Sequence, residues 1–228
     1  MVDQTPGPDY AFRGLIGLDR ATLEERERVP TPDGGSIADI AVAPDGTVYG
    51  SDPVGGVVYS LMPGASRIRV AVARGVLRSP QGIAVSEDGE RLYISDYRYG
   101  IAMVYGREVY QLETDLPILL DGVDGLWRHG NELIAVRNGG SPMQIVALTL
   151  SPDGLRVVAH RVIESDVPEW TEPLGGNVAD GRLYYVANGQ WDRFGPGGVV
   201  VDGGTPEPTV IRSLPLSAPF GASGAESP

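Results

Sequence analysis

Four stretches of this chain repeat one pattern, and that repetition restricts the fold more than any other feature. "ADIAVAPDGTVYGSD", "QGIAVSEDGERLYISD", "DGLWRHGNELIAVRN" and "GGNVADGRLYYVAN" each read as a strand, a two-residue turn and a second strand. The turns centre on Asp45-Gly46, Asp88-Gly89, His129-Gly130 and Asp180-Gly181, dipeptides that supply the positive φ angles of a tight hairpin. The flanking strands alternate in apolar residues or run fully apolar, as in Ile40 to Val42 and Leu92 to Ile94. Turn glycines at 46, 89, 130 and 181 lie 43, 41 and 51 residues apart, which leaves room for four short strands per unit. The pattern predicts an all-β chain folded as a β-propeller of four-stranded antiparallel blades.

Further strands follow each hairpin, such as "GGVVYSLM" then "IRVAVA", and "QIVALTLS" joined to "LRVVAHRVI" by "PDG". Helical periodicity is not convincing anywhere. The charged stretch "FRGLIGLDRATLEERERV", residues 12 to 29, fits two outer strands of an incomplete blade better than a helix. The expected organisation is an N-terminal tail over 1–9 and a propeller domain over 10–216. Within the domain, a partial blade spans 10–30 and blades span 36–74, 79–114, 122–164 and 172–216. A small, polar, proline-bounded stretch over 217–228 reads as a disordered tail. The chain thus encodes about four and a half blades.

Composition removes whole classes of chemistry. At 228 residues and 42% hydrophobic, the chain can bury one sizeable core. A formal charge of −12, with the arginines scattered, opposes binding to nucleic acid or to anionic membrane surfaces. There is no cysteine and no lysine, so thiolate chemistry, Schiff bases and a P-loop lysine are excluded. With His129 and His160 the only histidines, and no HExxH, GxSxG or GxGxxG behind a strand, the common catalytic signatures are missing. No apolar run is long enough to span a membrane, and the opening "MVDQTPGPDYAFRG" has no signal-peptide character. As written the chain reads as soluble and cytoplasmic, or as periplasmic or secreted if an N-terminal segment precedes it.

Hairpin geometry gathers polar residues at one rim, because the start of an inner strand lies beside the end of its antiparallel neighbour. Asp124 is thereby expected near Arg137 and Asn138, and Gln81 near Asp96. Asn188 ends the last hairpin, followed by Gln190 and Trp191. Asp52 and Asp96 occupy equivalent strand ends and read as caps for local amides. Asp124 breaks the repeat, since its equivalents are Ala38, Gln81 and Leu174. A ligand or metal role and an ion pair to Arg137 or Arg128 both account for it. Trp191 either stacks on a ligand or covers the last blade, Trp127 packs between blades, and Trp170 sits on a loop that could rim the same face.

Through "SPQGIAVSEDGERLYISDYRYGI", "DGVDGLWRHGNELIAVRNGGSPMQIVALTL" and "EPLGGNVADGRLYYVANGQW" the chain resembles the SMP-30/gluconolactonase/LRE-like propeller family. The resemblance implies a six-bladed ring closed by strands from both termini, so that one to two N-terminal blades are missing or the ring is a smaller one. It also implies a divalent cation, commonly calcium, in the central channel, held by a first-blade acidic residue, an asparagine and an aspartate, where it polarises a lactone carbonyl. Asp124 matches the aspartate, Gln81 stands in place of the asparagine, and the first-blade residue has no counterpart. The implied function is binding of a small polar, carbohydrate-derived ligand, with metal-assisted hydrolysis of a sugar lactone or ester. Asp124 would be the catalytic and cation-binding residue, with Gln81, Arg137, Asn138, Asn188, Gln190 and Trp191 around the ligand. A non-catalytic scaffold for a ligand or a protein partner is the alternative.

Overall fold

The computed structural model describes residues 12–195 and 198–217. The expected tails, 1–9 and all but the first residue of 217–228, lie outside that range. Among the described residues seventeen strands are formed, and the helical segments are single 3-10 turns such as Trp191–Arg193. The first two strands, β1 (Gly14–Leu18) and β2 (Glu25–Pro30), pair with each other in a two-stranded sheet. The first full blade contains β3 (Asp39–Val42), β4 (Val48–Asp52), β5 (Val57–Leu61) and β6 (Arg69–Val72). The second contains β7 (Pro80–Val85), β8 (Arg91–Asp96), β9 (Gly100–Tyr105) and β10 (Glu108–Gln111). The third contains β11 (Val123–His129), β12 (Glu132–Arg137), β13 (Gln144–Leu150) and β14 (Val157–Ser165), and the fourth β15 (Gly176–Ala179), β16 (Arg182–Val186) and β17 (Ile211–Pro215). Every pairing within the sheets is antiparallel between consecutive strands. The fold is a β-propeller.

The fourth blade has three strands among the described residues, one fewer than expected. Between β16 and β17 the chain leaves the sheet for an excursion with 3-10 turns at Trp191–Arg193 and Val201–Gly203, which consumes the length of a further strand.

The turns also depart from the two-residue expectation. Asp180 and Gly181 form such a turn, with φ of 50° and 68° between the paired Ala179 and Arg182. In the third blade His129 still pairs with Glu132, so the turn is Gly130-Asn131 and His129 belongs to the strand. The loops at Asp45 and Asp88 are longer. There the carboxylate closes the turn by accepting a backbone N–H two residues on, from Thr47 at 2.8 Å and Glu90 at 3.0 Å.

Blades stack through apolar layers, and strand alternation decides which side chain serves which layer. In β12, Leu133 and Ala135 meet Tyr93, Ile101 and Met103 of the second blade, while Ile134 and Val136 meet Leu183 and Tyr185 of the fourth. A strand buried on both faces must be apolar throughout, which is why "LIAV" shows no polar alternation. Val58, Leu77, Ile83 and Ile94 join the first two blades, and Val29 of β2 packs on Val57, Tyr59 and Leu61 of β5. Burying each such aliphatic side chain contributes about 1.5–3 kcal/mol.

Trp127 lies in the layer between the third and fourth blades, and so does Trp170, whose indole N–H donates to the Tyr185 hydroxyl at 3.0 Å. Trp170 is therefore core rather than rim. No helix among the described residues is long and apolar enough to cross a membrane.

Candidate active site

The inner strands begin at one end of the molecule, and two of them begin irregularly. In β11 the register shifts between Val123 and Gly125, and in β7 between Pro80 and Ile83. An extra residue in an antiparallel strand is left out of the ladder and its side chain is re-aimed. The residues so released are Asp124 and Gln81, and both face a cavity of about 860 Å³. Gly82 makes this possible: a Cβ there would lie 2.4 Å from the Leu126 amide nitrogen and 2.6 Å from the Asp124 carbonyl oxygen. Only glycine lets β7 and β11 approach this closely, and that approach fixes Asp124 in place.

Asn138 is the hub of the site. Its amide nitrogen donates toward Asp124 Oδ2 at 3.0 Å, Glu172 Oε1 at 3.2 Å and the Pro173 carbonyl at 3.1 Å, while its Oδ1 accepts the Tyr97 hydroxyl at 2.9 Å. Three acceptors around one atom and a hydroxyl at the other fix which end of the amide is nitrogen. A third carboxylate, Asp39, reaches the cavity from the first blade; its oxygens accept the Ile83 N–H at 3.0 Å and the Ile40 N–H at 2.9 Å. Asp39, Asp124 and Glu172 thus converge from three blades.

These carboxyls titrate high. Burial, with the charge of Asp124 adding to it against two backbone N–H bonds, pushes Asp39 up to about 6. Burial raises Asp124 against the pull of the Asn138 amide, and burial followed by the charges of Asp124 and Asp192 raises Glu172. Burial and the charges of Asp124 and Glu172 raise the Tyr97 phenol, so it is a hydrogen-bond donor at neutral pH.

Of the residues anticipated from sequence, Gln81, Asp124, Asn138 and Trp191 line the cavity together. Arg137 turns to Gln144 Oε1 at 2.9 Å, and Arg128 pairs with Glu87 at 2.7 Å, so neither is the partner of Asp124. Asn188 bonds Pro208 O and Val210 N, and Gln190 bonds the Glu207 backbone; both side chains fasten the excursion between β16 and β17. Asp96 caps the Arg78 and Ser79 amides and Asp52 those of Val54 and Gly55, as local turn chemistry requires. Asp39, Glu172 and Tyr97 escape the sequence reading. Aligned repeats set Ala38 against Asp124, and nothing in a linear alignment marks the bulge that offsets β11 by one residue.

A divalent cation does not fit this donor set. Among the described residues no three acidic or histidine side chains group as a metal site. Asn138 presents N–H rather than oxygen to Asp124 and Glu172, so the amide is not a ligand for a cation held between them.

No protein-family model matches the chain, and no curated protein matches it in sequence. Solved structures do match. A protein of a nidogen/laminin complex superposes with a TM-score of 0.59 at 18% identity, over 75% of this chain and 65% of that one. A gluconolactonase from Xanthomonas campestris gives 0.56 at 17%, over 77% and 62%. Regucalcin, a calcium-binding protein from Agrobacterium tumefaciens, gives 0.54 at 17%, over 76% and 61%. The chain therefore spans somewhat less than two thirds of the length of these relatives, and at such identities the likeness is one of fold, which unrelated functions share.

Proposed function

We propose that the protein binds a small, polar, hydroxyl-bearing molecule in the cavity between its blades and opens a lactone or ester bond there. The convergence of Asp39, Asp124 and Glu172 carries this reading. Three half-buried carboxyls along one cavity wall are costly to ionise, and groups held at raised pKa beside a cavity are suited to proton transfer. The gluconolactonase among the structural relatives lends the reaction class.

In this reading Asp124 takes a proton from water as the water oxygen bonds to the carbonyl carbon. The carbonyl re-forms as the C–O bond to the alkoxy group breaks. Glu172, whose pKa is raised by its surroundings, acts as the acid and gives its proton to the departing oxygen. The sum is lactone plus water to hydroxy acid. Asn138 holds both carboxyls by one amide, Tyr97 fixes that amide, and Trp191 offers a ring face to the ligand. Calcium, which the regucalcin relative binds, would require the Asn138 amide to reverse and lose its N–H bonds to Asp124, Glu172 and the Pro173 carbonyl, so the reaction is written without it.

A panel of sugar lactones and simple esters, followed by acid release with and without chelator, tests the proposal. The wild type is expected to exceed buffer hydrolysis in chelator, with Asp124→Asn lower by roughly 10²–10⁴-fold. Activity at buffer background, or activity that appears only with added calcium, contradicts it. Saturable binding without turnover would support the non-catalytic scaffold instead.

A further inference from the structure

Half-buried carboxylates set beside one another are favoured by a nearby cation, yet among the described residues Asp39, Asp124 and Glu172 form no ion pair. The nearest candidates by sequence, Arg128 and Arg137, are engaged with Glu87 and Gln144. A divalent cation does not fit, for the reasons of donor chemistry given above. The cavity mouth carries the opposite feature. Arg78 and Arg98 line it, both are exposed, and neither guanidinium has a hydrogen bond or ion pair among the described residues, whereas Arg91, Arg156 and Arg161 each close on a carboxylate. The rings of Tyr97, Tyr99 and Trp191 line the same cavity.

We infer that the ligand is a small organic zwitterion, with an ammonium group at Asp124, between the flanking carboxylates of Asp39 and Glu172, and an anionic group on Arg78 and Arg98. This rests on the reading of the cavity as a small-ligand site. An ammonium donates N–H to carboxylate oxygens and needs no oxygen from Asn138, so it is accepted where a metal is not. The ring faces add cation–π attraction to the same charge. Guanidinium groups at the mouth match a carboxylate in planar, two-point geometry. A hydroxy acid released from a lactone carries such a carboxylate, and a basic nitrogen on the same skeleton completes the match.

Four six-carbon probes vary the charge: D-glucose and D-gluconate, neutral and anionic, and their 2-amino counterparts D-glucosamine and D-glucosaminate, partly cationic and zwitterionic at the assay pH. Titration calorimetry in chelator at pH 7.5 is expected to give glucosaminate the tightest binding, at least tenfold over glucose and gluconate. The double substitution Arg78→Gln, Arg98→Gln, at two exposed side chains without partners, is expected to bring glucosaminate down to the level of glucosamine and to leave glucosamine unweakened. If glucose or gluconate binds as tightly as glucosaminate, or if the double substitution leaves the preference intact, the inference is overturned while the small-ligand reading stands. If none of the four binds, both fall.

Discussion

At the residue scale, carboxyls that the fold half-buries beside one another are costly to ionise. Asp39, raised to about 6 from an ordinary 3.8, binds its proton more tightly in the folded than in the unfolded chain. Stability from this group is therefore complete below about pH 4 and is lost as pH rises through about 6. Asp39→Asn cannot ionise, so its stability relative to wild type is expected to improve by on the order of 3 kcal/mol between pH 4 and 7.5. Denaturant melts of both proteins at the two pH values measure this, and a difference independent of pH contradicts it. Legibility at this scale was uneven. Asp124 stood out because it broke the repeat, and its neighbour Asn138 followed from hairpin geometry. Asp39 and Glu172 did not, because their meeting depends on a bulge in β11 and on how four blades converge, and neither leaves a mark in local spacing.

At the element scale, the inner strands are held by backbone proximity as much as by side chains. Gly82→Ala places a methyl group against the backbone of β11, where no flexible side chain can yield. It is expected to destabilise by about 2–4 kcal/mol and to displace Asp124, so that ligand binding weakens more than the melting temperature alone suggests. Unchanged binding in a folded variant contradicts the placement. The outer turns behave differently. Asp88 accepts the Glu90 N–H and the Ser86 hydroxyl and pairs with Arg91 in an exposed loop, so Asp88→Ala is expected to cost about 1 kcal/mol in a melt and nothing in binding. The Asp-Gly signals located these turns in sequence. Their lengths were hidden, because a side-chain carboxylate that supplies a turn's hydrogen bond lets a longer loop imitate a two-residue hairpin.

At the scale of the whole molecule, period and apolar alternation made the blades legible before any coordinates, since each sheet must bury both faces against its neighbours. Leu133, fully buried between the second and third blades, illustrates the layer: Leu133→Ala is expected to cost about 2–5 kcal/mol, read from denaturant unfolding. What the repeat could not reveal is the cavity left where the blades meet, which is the candidate site. Its occupancy can be read directly, because the tryptophans are sorted by burial: Trp127 and Trp170 are 8% and 9% exposed, while Trp191, on the cavity wall, is 44% exposed. Acrylamide quenching therefore reports chiefly on Trp191. With the hexose and lactone probes in chelator, the account expects saturable protection of Trp191 in the wild type and its loss in Asp124→Asn. Quenching that no probe changes, or protection that Asp124→Asn retains in full, would contradict the claim that this cavity is a carboxylate-based ligand site.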